Sequence, residues 1–145
     1  MKKLIFVLCF CLLLCGCGTG TAKDGNIPKG YTSYQQFYDK EGFMDYTDYC
    51  YYSYNSADAI KSNKNYVQLK KGDSDKETHF DKVTKAAEDF IGWMRTLDRE
   101  NELTFALSDI TEGDYAYLKD NSYSIITLYF FDTETNTLHY MHNKN

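Results

Sequence analysis

Between residues 79 and 97, apolar side chains recur at intervals of three and four: Phe80, Val83, Ala86, Ala87, Phe90, Ile91, Met94 and Leu97. That period puts them on one broad stripe of an α-helix. Thr78 stands where an N-cap belongs, and Asp81 three residues on completes a capping-box pattern with the shorter acid. Gly92 inside the helix costs about 1 kcal/mol relative to Ala and suits the close approach of a neighbour. Trp93 lies at the margin of the stripe.

Elsewhere the period shortens. Residues 103–107 and 115–118 are brief β-type runs, and 123–131 (YSIITLYFF) is a longer one. A polar turn at 132–136 and a return over 137–142 complete a predicted hairpin. Residues 66–69 allow at most a short strand. Nearer the N-terminus, Thr32-Ser33 can cap a helix running to Lys40, with Tyr34, Phe37 and Tyr38 on one face and Gly42 as its stop. Residues 43–54 (FMDYTDYCYYSY) are rich in strand-favouring aromatics, yet Phe43, Tyr46 and Cys50 sit at helical spacing. A helix leading into an extended end is the expectation there. Together these elements predict an α+β fold: N-terminal helices, including the long amphipathic one, packed on a small C-terminal antiparallel sheet with a terminal hairpin.

The first segment is of another kind. Lys2 and Lys3 precede an uncharged apolar run from Leu4 to Leu14, the layout of an export signal. Such a run falls short of the roughly 20 residues a spanning helix needs. Residues 18–30 (GTGTAKDGNIPKG) are small, polar and glycine-rich, as in a tether. The organisation expected is therefore a signal over 1–16, a flexible tether over 17–30, and one domain over 31–145.

Charge and cysteine count narrow the partners. Of 16 basic residues two leave with the signal, so 14 face 21 acidic ones in the remainder. No nucleic-acid partner is expected of so acidic a chain. Beyond Cys17 only Cys50 remains, so an intramolecular disulfide is not expected, and Cys50 among tyrosines reads as a small buried hydrophobe. Of the 14 tyrosines, eight crowd between Tyr31 and Tyr54. Tyrosine serves packing first and binding surfaces second, which makes Tyr49, Tyr51 and Tyr52, with Trp93, candidate binding residues.

Catalytic signatures are sparse. No P-loop, dinucleotide fingerprint or Gly-x-Ser-x-Gly elbow occurs, so no catalytic residue and no cofactor is expected. His139 and His142 lie three apart, which on a strand places them on opposite faces and speaks against a shared metal ion. Asp109, Glu112 and Asp114 cluster in SDITEGDY. Such carboxylates serve acid–base chemistry or ligand binding, and they are equally the usual make-up of a glycine turn.

The exit of the signal, Leu14-Cys15-Gly16-Cys17, resembles the lipobox of bacterial lipoprotein precursors: Leu at −3, a small residue at −1, Cys at +1. The resemblance covers about the first twenty residues. It implies lipidation of the Cys17 thiol, cleavage before it, and attachment to the membrane on the extracytoplasmic face through that lipid. Each buried methylene adds about 0.8 kcal/mol, so two or three chains hold firmly. The function expected is a binding or protein-interaction module at the cell surface, with an envelope protein or cell-wall component as partner. The alternative is a small envelope enzyme or a solute- or carbohydrate-binding accessory protein.

Overall fold

The computed structural model describes residues 24–39, 46–72, 76–122 and 124–144. Cys17 and the signal lie outside them, as do Phe43, Gly42 and Tyr123. Strand β1 (Tyr31–Asp39) leads to β2 (Tyr46–Tyr54), a one-turn helix α1 (Asp58–Lys61), β3 (Val67–Gln68) and helix α2 (His79–Thr96). Two single turns of 3-10 helix follow, at Glu100–Glu102 and Leu107–Asp109, then β4 (Tyr115–Ser122), β5 (Ile125–Asp132) and β6 (Thr137–Lys144). The strands form one antiparallel sheet in the order β1-β2-β6-β5-β4-β3. The fold is thus mainly β, and the expected α+β arrangement of N-terminal helices on a small C-terminal sheet is overturned.

The correction has a physical source. The predicted helix over 32–40 is strand β1 over its described residues, and the stretch over 43–54, expected as a helix leading into an extended end, is strand β2 from Tyr46 onward. In β2, Cys50, Tyr52 and Tyr54 enter one core cluster while Tyr49 enters another on the opposite face. A strand buried on both sides loses the apolar–polar alternation that would announce it, and the four-residue spacing of Tyr46 and Cys50, which suits a helix, equally places both on one face of a strand. The 103–107 run also departs from expectation. Asp98 adopts a left-handed φ of 58° after α2, and Thr104 turns its backbone N–H to the Tyr49 hydroxyl (3.2 Å) rather than to a neighbouring strand.

Helix α2 crosses one face of the sheet. Val83, Ala86, Ala87, Phe90, Ile91 and Met94 are buried against Leu128, Phe130 and Met141 of the central strands. Its first turn is closed in both directions: Thr78 Oγ1 accepts from the Asp81 N–H (3.2 Å), and the Asp81 carboxylate accepts from the Thr78 N–H (2.8 Å). These bonds hold the exposed Asp81 carboxyl below the usual carboxylate range. A Cβ built on Gly92 meets nothing within 4 Å, so no close neighbour explains this glycine. Gly92→Ala should therefore raise stability by about 1 kcal/mol, read as a higher denaturant midpoint with an unchanged slope. A loss of stability would mean that something does approach this turn.

The opposite face is paved with aromatic rings: Tyr52, Tyr54, Tyr129, Phe131 and Tyr140, joined by Cys50 and Leu138. Among the described residues, two segments cover it. One is the stretch around α1, which contributes Ile60 and Tyr66. The other is 24–30, the described part of the stretch expected as tether. Ile27 is buried there, Tyr54 donates to the Pro28 carbonyl (2.6 Å), Tyr66 donates to the Asn26 carbonyl (3.1 Å), and the Tyr129 hydroxyl donates to Asp24. Residues 24–30 are accordingly a docked strap.

Candidate functional site

A cleft of about 410 Å³ opens on the helix side of the sheet, past the end of α2. Its floor is Tyr51 and His139, register partners on β2 and β6. One wall is the β5–β6 hairpin, with Asp132, Glu134, Thr135 and Thr137; the other is the connection from α2 to β4, with Thr104, Ser108, Asp109 and Thr111. Each wall is shaped by its own side-chain bonds. Asp132 Oδ1 accepts from the N–H groups of Glu134 (2.8 Å) and Thr135 (3.3 Å), and Asn136 takes the left-handed position of the turn with φ 52°. Asp109 Oδ2 accepts from the Ala106 N–H (2.8 Å) and closes the 3-10 turn.

Asp114 ties the two walls together. One of its oxygens accepts from the Thr111 N–H (2.8 Å) and hydroxyl (3.0 Å), the other from the Thr133 N–H (2.9 Å) and hydroxyl (2.7 Å). A buried carboxylate with four donors is well satisfied, so Asp114 acts as a brace beneath the cleft.

His139 is only 2% exposed. Its ring stacks on Phe130 (5.7 Å, 16°) and on Tyr49 (6.2 Å, 10°). Nδ1 lies 2.9 Å from the Tyr49 hydroxyl, which in turn is 2.8 Å from Thr104 Oγ1. Nε2 has no hydrogen-bond partner among the described residues. Burial pushes the His139 pKa down to about 4 while the nearby Asp132 and Asp109 carboxylates pull the other way, so the ring is neutral at neutral pH. Burial likewise pushes Tyr49 up to about 12, and its hydroxyl keeps its proton.

The residues singled out from sequence are dispersed. Tyr51 and Asp109 meet at the cleft, with Tyr49 directly beneath it. Tyr52 lies on the opposite face, stacked on Tyr34 at 5.8 Å. Trp93 is half-buried away from the cleft, and its Nε1–H donates to Thr47 Oγ1 (2.8 Å). Glu112 accepts from the Lys71 N–H (2.8 Å) outside the cleft. His142 is on the other side of the sheet from His139, held by Thr127 Oγ1 (2.9 Å) and the Tyr46 hydroxyl (2.8 Å). Among the described residues no group of His, Cys, Asp and Glu side chains has a metal-holding arrangement. Sequence reasoning passed over His139 as a ligand-facing group, and over Thr104, Ser108, Thr111, Glu134, Thr135 and Thr137. The one available signal was a histidine inside an apolar strand, LHYM.

No family model matches the chain, and neither a curated protein nor a solved structure does.

Proposed function

We propose that this protein is a lipid-anchored extracytoplasmic binding module that presents the His139 cleft to a component of the cell envelope. The observation that carries the binding half is His139 at the floor of an open cleft, with Nδ1 held by Tyr49 and no partner for Nε2 among the described residues. Nε2 is not one of the enclosed side-chain atoms that lack a partner among the described residues, which are His79 Nε2 and Thr84 Oγ1, so solvent or a ligand in the cleft can complete its bonding. Support for the anchor is the lipobox-like segment ending at Cys17, with 17–23 as the remaining tether.

Intact mass of the chain extracted from membranes, beside Cys17→Ser, tests the anchor. The expected result is an N-terminal Cys17 carrying a diacylglyceryl mass that the variant loses; an unlipidated chain in the medium would sink it. The binding half is tested by a photo-crosslinking residue at Glu134, on the cleft wall, compared with one at Lys61, which is exposed on α1. Envelope adducts are expected from position 134 and not from 61. Equal yields from both would remove the cleft from the reading.

A further inference from the structure

The donors and acceptors of the cleft narrow what it takes. The Tyr49 hydroxyl accepts the Thr104 N–H at 3.2 Å and has a single proton to give, to His139 Nδ1 at 2.9 Å or to Thr104 Oγ1 at 2.8 Å. A phenol is a stronger acid than an alcohol, and an imidazole nitrogen is a better acceptor than a hydroxyl oxygen. The proton therefore goes to Nδ1, and Thr104 Oγ1 returns a bond to Tyr49. With Nδ1 as acceptor, the proton of the neutral ring sits on Nε2. The floor of the cleft is thus an N–H donor.

The walls are the reverse. Asp109, Asp132 and Glu134 bring carboxylates, and the threonine and serine side chains bring hydroxyls, while among the described residues no lysine or arginine lines the cleft. An anion is repelled by the carboxylates of both walls. A simple cation finds carboxylates on the walls but a positive dipole end at the floor. Asp109 and Asp132 also spend part of their acceptor capacity on the N–H groups of their own turns, so they have less need of a counter-ion. A ligand whose groups each accept and donate meets both requirements, and that is the chemistry of hydroxyl groups. The half-buried Tyr51 ring supplies an apolar surface beside them.

We propose that the His139 cleft binds an uncharged saccharide, with His139 Nε2–H donating to a sugar oxygen, the wall carboxylates accepting from sugar hydroxyls, and Tyr51 packing against the ring. This rests on reading the cleft as a binding site. Tyr49 is then a positioning residue, because its hydroxyl sets which His139 nitrogen carries the proton. The cleft volume lies within the range of small-molecule sites.

The test is a titration of the full chain in detergent micelles, labelled with 15N-histidine, read at the His139 ring nitrogens. The probes are glucose, galactose, N-acetylglucosamine, cellobiose and maltose as neutral sugars, glucuronate as an anion and putrescine as a cation. Before any addition the ring should show the Nε2–H tautomer, and Tyr49→Phe should turn that signature into a mixture. At least one neutral sugar should move the Nε2 signal saturably. Glucuronate should bind at least tenfold more weakly than its neutral counterpart, glucose. Glu134→Ala, an exposed change that leaves the core untouched, should weaken the sugar several-fold, and His139→Phe at least tenfold.

If no neutral sugar moves Nε2, the proposal is overturned. Movement with putrescine or glucuronate instead would keep the cleft as a binding site and assign it another ligand class. Adducts from position 134 with no response to any probe would keep the binding reading alone.

Discussion

Replacing Phe130 with Ala should cost about 3–5 kcal/mol, the range for removing a buried aromatic ring. Phe130 lies in central strand β5, is fully buried, and packs its ring against Phe105 at 6.0 Å and His139 at 5.7 Å beneath α2. Its neighbours belong to the sheet, to α2 and to the connection that walls the cleft, so no single element can shift to fill the void. Domains of this size are stable by only about 5–15 kcal/mol in all, and the variant should lose a large share of that. Equilibrium denaturation checks it as a drop in midpoint with unchanged slope. Phe130→Leu keeps most of the volume and should cost under about 1.5 kcal/mol. A loss below that figure for the alanine variant would mean that the two layers close over the gap, and that the core is looser than its packing implies.

Acid should weaken the fold through His139. Its pKa is held at about 4, against an ordinary value of 6.5, because the ring is buried. The unfolded chain therefore takes up a proton that the folded chain refuses, and stability falls as pH drops through the interval between those two values. Above that interval both states are neutral and the group contributes no pH dependence. At pH 5 the cost is about 2 kcal/mol, approaching about 3 kcal/mol once the pH reaches the folded value. His139→Phe keeps an aromatic ring among Tyr49, Phe105 and Phe130 and removes the titrating group. Denaturation curves at pH 7 and pH 5 should show the wild type losing about 2 kcal/mol more than the variant. Parallel losses would show that the ring protonates in place.

How much of this could be read from the sequence follows from how each element is buried. Helix α2 buries one stripe, so its period survives in the sequence, and its start at Thr78 is marked by side chains that close the first turn. The β5–β6 hairpin is marked by its polar turn. Strand β2 hides because Tyr49 and Tyr52 pack into different cores, leaving no polar face to alternate with. Strand β1 hides because its exposed positions are Thr32, Ser33, Tyr34 and Gln35, which carry no strong preference for water. The cleft is harder still. It is assembled from β2, β6, the hairpin turn and the α2–β4 connection, and its walls are built of residues ordinary in any loop. Asp109 and Asp114 look alike in SDITEGDY. Only the fold makes one a lining group and the other a brace.

The docked strap sets the length of the leash. If Cys17 carries the lipid, only the seven steps from residue 17 to 24 separate the anchored atom from the Asp24 clamp on Tyr129. A fully stretched chain covers at most about 3.3–3.6 Å per residue, so the span cannot exceed about 25 Å. That is less than the width of a folded domain of this size, roughly twice its radius of gyration of about 14 Å. A domain so tethered would roll on the membrane surface rather than roam above it. It would meet its ligands in the layer next to the lipid headgroups. Tyr129→Phe together with Asp24→Ala would release the clamp and lengthen the reach by the residues the strap now holds down.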